Sequence, residues 1–469
     1  MPLSKIIIIG AGPAGMGCAY TLAKAARPAA VIEKEKVSGG LCRTLESSGY
    51  LFDIGGHRFI SSSLEVNRLW GGIMNGRMLK VRRCSRIYYR KKYFNYPLSF
   101  ANTFFNLGPL ESVLCVASYL KNKYLSSPQG DTFEDWISHY FGKRLFKIFF
   151  KSYTEKVWGM PCQNISSDWA NQRIRGLSLR VAIEKAIIRK SRNSPKTLCE
   201  EFLYPLRGPG DFYRRMKEEI DNLGSRFLFG KNASKIRHDG RRMLSMEIRG
   251  SPCGEIEEVS VDYLFSSAPL THLVNSLEPA PPEHILKAAG KLRFRSFITV
   301  NIILDKKDVF PDQWIYIHSP SVRLARVQNY KNWSPAMVPD GDKTSLGLEY
   351  FCDEADNIWN INDVDMINFA VDELEKVGIV SRRYLINAFV SRHADAYPVY
   401  SLGYQESVGV IREYLRQFSN FQTMGRAGLF RYDNSDHALL TGIYAANKFL
   451  GKGDYNIWDI NSGEGYLET

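Results

Sequence analysis

The sequence predicts an α/β protein that begins with a Rossmann-type βαβ unit, and three stretches carry that prediction. The first, "KIIIIG", is a β-branched run ending on glycine. A continuous apolar run of this kind suits a parallel strand covered on both faces. The second, "GAGPAGMGCAYTLAKA", sets Gly10, Gly12 and Gly15 in G-x-G-x-x-G spacing at the head of a helical pattern reaching about Ala26. These glycines allow a tight turn, close backbone approach to a pyrophosphate and close helix–strand packing, with the anion at a helix N-terminus. The third, "AAVIEK", is a short strand ending at Glu33, whose carboxylate is placed to accept ribose hydroxyls. The first forty residues read as a dinucleotide site, and Glu33 argues against a 2′-phosphate there.

Further glycine-rich pieces follow. "SGGLCRT" holds Gly40 and Arg43, and "FDIGGHRF" holds Gly55, Gly56 and His57. Paired glycines let the backbone approach a flat ring or a phosphate, and arginine supplies charge. His57 reads either as a satisfied turn histidine or as a residue beside a bound ring. "VDYLFSSAPL" (261–270) is a strand followed by a turn at Pro269. In "MGRAGLFRYDNSDHALLTGIYAANKFLG", Asp436 reads as the N-cap of a helix running to about Leu450, with Gly451 at its end. Such an N-terminus favours negative charge on a ligand.

Composition sets the limits. A chain of 469 residues, 44% hydrophobic and 24% charged, is expected to be globular with more than one domain. No stretch reaches the length of a transmembrane segment, and "MPLSKIIIIG" lacks a cleavage region, so a cytoplasmic location is expected. The eight cysteines show neither CxxC nor Cys/His ligand spacing; reduced thiols and no metal site are expected. A net charge of +13 points to an anionic partner. Nucleic acid is not expected, because the basic run at 77–92 alternates with apolar residues, as a hairpin does. "FITVNIILD" (297–305) and "TSLGLEYF" (344–351) read as strands.

"FFKSYTEKVWG" (149–159) is ambiguous. Phe149, Phe150, Tyr153 and Val157 fall near helical spacing, which suits core packing, yet Tyr and Trp tips prefer a cleft.

The cofactor pieces, in this order, resemble the flavoprotein group of amine oxidases, protoporphyrinogen oxidase and UDP-galactopyranose mutase. That resemblance implies FAD in a glutathione-reductase-like domain, with the GGHRF segment near the isoalloxazine. The aromatic segment resembles one in the mutases, implying that Tyr153 stacks on the substrate's uracil while Phe150 and Trp158 line the pocket. "YYRKKYFNYPLSFANTF" (88–104) is similar to their hairpin leading into a helical substrate domain, and "FLYPLRGPGDFYRRM" (202–216) to the return segment. "WANQRIRGL" (169–177) matches their arginine-bearing loop, through Arg173 or Arg175. "RLARVQNYKNWSP" (323–335) implies that Arg326 holds the diphosphate, and "GRAGLFRYDNSD" that Tyr432 touches a phosphate and Arg426 sits at the flavin. "RGPG" at 207–210 departs from the mutases' glycine run, and residues 350–420 match no segment of the family.

What the resemblance implies is an FAD-dependent nucleotide-sugar mutase, a pyranose–furanose isomerase used in cell-surface polysaccharide biosynthesis. Reduced flavin would attack the anomeric carbon through N5, with an external electron donor keeping it reduced. Arg326, Arg173, Arg175 and His57 are the catalytic candidates. The alternative is an FAD-dependent oxidoreductase of the amine oxidase or protoporphyrinogen oxidase type. Oligomeric state stays open, a homodimer included. The expected plan is a cofactor domain from 1–65, 201–269 and 396–469, a helical substrate domain at 100–200, and an antiparallel sheet region at 66–99 and 270–395.

Overall fold

The computed structural model describes residues 5–125, 130–174, 200–250 and 254–460. Its organising element is a five-stranded parallel sheet in the order Phe421–Thr423, Tyr263–Ser266, Ile6–Ile9, Ala30–Glu33, Arg226–Phe229. Three distant pieces of the chain thus share one sheet. The four isoleucines sit at its centre, and Ile7 and Ile8 are fully enclosed, as expected of a strand covered on both faces.

The helix Pro13–Lys24 follows the first strand, with Gly12 as N-cap and proline in its first turn. It packs on the helix Ser435–Phe449 so closely that a Cβ on Gly442 would lie 1.8 Å from the Ala14 carbonyl oxygen. The N-cap of that second helix is Asn434, and Asp436 lies in its first turn. The capping role expected of Asp436 therefore belongs to a residue two positions earlier. Trp70, from the helix Leu64–Met74, stacks on Phe212 with ring centroids 3.8 Å apart. This helix joins the core around the parallel sheet, so the expected boundary at 65/66 cuts an element.

A second sheet has seven strands, in the order Leu385–Pro398, Phe294–Leu304, Thr344–Cys352, Arg326–Asn329, Trp314–Ile317, Ser85–Tyr89, Lys92–Asn95. It is antiparallel except where Trp314–Ile317 runs parallel to Ser85–Tyr89. The strands expected at 297–305 and 344–351 belong to it, and its 14-residue edge strand crosses the expected 395/396 boundary. Ile298, Val300, Ile302 and Leu304 pack under the helix Asp363–Lys376, and Phe297 turns the other way with Ile54, Phe351 and Ala396. The "YYRKK" stretch makes the predicted hairpin, with Arg90 and Lys91 at positive φ in its turn.

Helices fill the described part of 100–174, among them Pro109–Leu125, Phe133–Phe141 and Ser167–Ile174. A smaller sheet, Ile256–Ser260, Met243–Gly250, Lys231–His238 and Leu277–Glu278, was not anticipated. Among the described residues no helix is long and apolar enough to cross a membrane.

Candidate active site

One cavity of about 720 Å³ runs from the parallel sheet, past the face of the seven-stranded sheet, to the helices. At the sheet end it is lined by Gly10, Gly12 and Gly40. Gly10 has φ +92°, and a Cβ on Gly15 would lie 1.8 Å from the Gly10 carbonyl oxygen. Gly40 closes on Gly12 from the other side: its Cβ would come 3.0 Å from the Gly12 Cα. These contacts leave a backbone-walled trough at a helix N-terminus, which suits phosphate. Glu33 is buried at the trough's edge and accepts from the Ala11 N–H at 2.6 Å and the Glu35 N–H at 2.9 Å. Each oxygen keeps a further acceptor site for a ribose hydroxyl. Arg43, buried, donates to the Gly40 carbonyl at 2.8 Å and pairs with Glu35.

Further in, Gly55 (φ +82°), Gly56 and His57 form the wall. His57 has Nε2 2.8 Å from the Ile54 carbonyl and Nδ1 3.7 Å from the Cys42 sulfur. Burial pulls its pKa down to about 4, so the ring is neutral near pH 7. With both nitrogens facing the protein, His57 is held as a turn histidine. Opposite, Asn434 and Ser435 bring the helix Ser435–Phe449 to the cavity, whereas Asp436 does not line it.

The aromatic segment folds as a π-helical turn, Phe146–Lys151, running into the α-helix Ser152–Trp158, with Gly159 at φ +66° ending it. Wide turns of this kind recur at functional sites. Phe149 packs against Phe94 and, with Phe150, Tyr153 and Trp158, also lines the cavity. One face of Tyr153 is covered by His318, with ring centroids 4.6 Å apart and planes 13° apart, and Tyr316 meets it edge-on. Lys156 clamps the helix to the sheet, its Nζ donating to the carbonyls of Ile317, Ser319 and Leu324 at 3.0, 3.1 and 3.0 Å. The Trp158 indole N–H is buried without a hydrogen-bond partner among the described residues.

Between cradle and floor stands a polar group. Arg326 is fixed by Glu349, which accepts from Nε at 2.9 Å through both oxygens, and Glu349 also accepts from Gln328 Nε2 at 2.9 Å. Glu349 is fully buried, so Arg326 is no isolated cation; it is an oriented donor whose charge is largely balanced. Arg426 lies 4.4 Å from the ring centres of both Tyr397 and Tyr432, and its Nε is buried without a partner among the described residues. Tyr397 and Tyr432 stack, with centroids 5.6 Å apart. Burial pushes the Tyr397 phenol up to about 12 while Arg326 and Arg426 pull it down, so it stays a neutral donor.

The cavity therefore gathers Gly10, Gly12, Glu33, Gly40, Arg43, Gly55, Gly56, His57, Phe150, Tyr153, Trp158, Arg326, Arg426 and Tyr432 of the predicted set. Gly15 acts behind the trough. Arg175 lies outside the described residues, as does the side chain of Arg173. Sequence reading missed Tyr397, Tyr316, His318 and Glu349. No local motif marks them; they meet only through strand register, for example Arg326 opposite Glu349.

Residues 8–72 match the model of the NAD(P)-binding Rossmann-like domain family. The chain shares its fold with solved structures over nearly its whole length. It superposes on reduced UDP-galactopyranose mutase with a TM-score of 0.83, covering 99% of this chain and 100% of that one at 23% identity. An Exiguobacterium sp. 255-15 protein provisionally assigned as a protoporphyrinogen oxidase gives 0.71 at 17% identity, covering 97% and 100%. A putrescine oxidase variant gives 0.64 at 14% identity, covering 96% and 99%. An uncharacterised protein from the nifH2 3′ region of Methanothermococcus thermolithotrophicus is 45% identical over 53 residues, which is 11% of this chain and about half (51%) of that relative.

Proposed function

We propose that this protein is an FAD-dependent nucleotide-sugar mutase of the UDP-galactopyranose/UDP-galactofuranose type. The observation that carries the reading is the joining, in one cavity, of a dinucleotide cradle, an aromatic floor and the group Arg326, Arg426, Tyr397 and Tyr432. The likeness to a reduced UDP-galactopyranose mutase over the whole chain supports it.

The residues present fit FAD. At the trough Gly10 is at φ +92° and Gly40 closes on the Gly12 backbone, which suits a phosphate against backbone N–H groups, and Glu33 is placed for the ribose. The wall at Gly55–Gly56, the helix N-terminus at Asn434–Ser435 and the unpartnered Arg426 Nε would face the flavin end. When bound and reduced, the flavin would supply nucleophilic chemistry at the anomeric carbon.

The protein's own part is orientation and charge. Tyr153 offers one open face for the base, its other being held by His318. Tyr397 and Tyr432 donate hydroxyls to the departing diphosphate, Arg426 carries the compensating charge, and Arg326 donates from the fixed geometry that Glu349 imposes. Because Arg326 is already paired, the remaining positive charge is assigned to one of Arg173, in the helix Ser167–Ile174, and Arg175.

The test is an anaerobic assay with UDP-galactofuranose, comparing dithionite-reduced with oxidised protein and following UDP-galactopyranose by chromatography. Conversion only after reduction is the expected result. Net oxidation of an amine or porphyrinogen substrate from the oxidised state, with no sugar isomerisation, would replace the mutase with an oxidase.

A further inference from the structure

The helix Pro109–Leu125 is amphipathic the wrong way round for a surface helix. Leu110, Val113, Leu114, Leu120 and Tyr124 recur at three- and four-residue spacing on its outer face, exposed by 75, 62, 39, 46 and 70%. Its inner face buries Cys115, Tyr119 and the polar Asn122. Phe105, at the end of the preceding helix, is 79% exposed and extends the stripe. A 17-residue helix spans about 25 Å, so this is a continuous apolar ridge rather than scattered side chains.

The ridge is bordered by cations. Arg90, Lys91 and Lys92 stand exposed at the hairpin turn. The Lys92 ammonium donates to the Asn106 carbonyl at 2.6 Å, which pins that turn beside Phe105. Lys121 and Lys123 lie at the other end. Between residues 84 and 125 the only carboxylate is Glu111, and Arg144 neutralises it at 2.5 Å.

We infer that this face is a docking surface for an anionic lipid bilayer. Exposed leucines and aromatics beside Lys and Arg are the make-up of helices that lie in a membrane interface. No described helix can span a bilayer, so the protein lies on the surface. A second copy is the poorer occupant: pairing two such ridges face to face sets cationic borders against each other. The inference does not rest on the proposed reaction, since none of these residues contributes to the polar group or the cradle.

The experiment is vesicle flotation of the full-length protein, with phosphatidylcholine alone and with an equimolar phosphatidylglycerol mixture. Binding to the mixed vesicles is expected to exceed that to neutral ones by about tenfold or more and to fall with added salt. A Leu110→Ser/Val113→Ser/Leu120→Ser variant and a Lys91→Glu/Lys121→Glu variant should each lose most of that binding. Both should keep the melting temperature and the activity of the parent. Equal partition to both vesicle types overturns the inference, as does a serine variant that floats like the parent. So does a dimer in light scattering that the serine variant dissociates while neither protein floats.

Discussion

Arg326 and Glu349 show how a single pair can serve both stability and chemistry. Removing one partner of a buried pair leaves an uncompensated charge, at a cost of about 3–5 kcal/mol. Arg326→Ala should therefore lower the melting temperature and slow turnover on the order of a hundredfold, as loss of one donor to a developing anion does. Adding Glu349→Gln should restore the melting temperature and leave the rate low. If the double variant also regained activity, Arg326 would be structural only. Asp53 is a second residue with a measurable signature. Burial pushes its carboxyl up to about 7, although Tyr204 and Thr44 donate to it, Thr44 at 2.8 Å. A carboxyl raised above its unfolded value holds its proton longer in the folded state. Stability is then greatest below about pH 4 in this respect and falls as pH rises toward 7, by on the order of 4 kcal/mol. Asp53→Asn should flatten that slope in denaturant titrations across the same range; an unchanged slope would assign it to other groups.

At the scale of elements, the helices Pro13–Lys24 and Ser435–Phe449 meet in close backbone contact behind the cradle. Gly442→Ala should push them apart, because the added methyl would sit 1.8 Å from the Ala14 carbonyl oxygen. The expected result is loss of bound flavin absorbance together with a lower melting temperature. A variant that kept its flavin would show that the second helix is not part of the cradle. This contact also marks where the sequence was legible. The glycine spacing and Glu33 are local, and each residue's neighbours in the chain are its neighbours in space, so they could be read directly. Asn434 could not be told from Asp436 as the cap, since both residue types suit that position. Tyr397 was hidden because its role comes from a long strand pairing with Phe294–Leu304, and nothing in "ADAYPVY" announces a partner more than ninety residues away. Whether 149–159 was core or floor was undecidable from periodicity alone, because Phe149 and Phe150 pack against the core and line the cavity at the same time.

At the scale of the molecule, the cavity is walled by the parallel sheet, the seven-stranded sheet and the helices together. A ligand that fills it ties these parts to one another and binds only the folded state. Adding FAD to flavin-stripped protein should stabilise it by about 2.7 kcal/mol at a hundred times the dissociation constant, seen as a rise in melting temperature by scanning calorimetry. An unchanged transition would mean that the cradle does not hold FAD. The order of strands in the parallel sheet also bears on how the protein is made. Phe421–Thr423 pairs with Tyr263–Ser266 at one edge, and Ser435–Phe449 follows it in the chain. While the ribosome is still adding those residues, the nascent chain has an open sheet edge and a cradle with one wall missing. Completion of the cradle therefore waits until residues 421–449 have been made, and until then the unpaired sheet edge is open to a chaperone or to another unfinished copy.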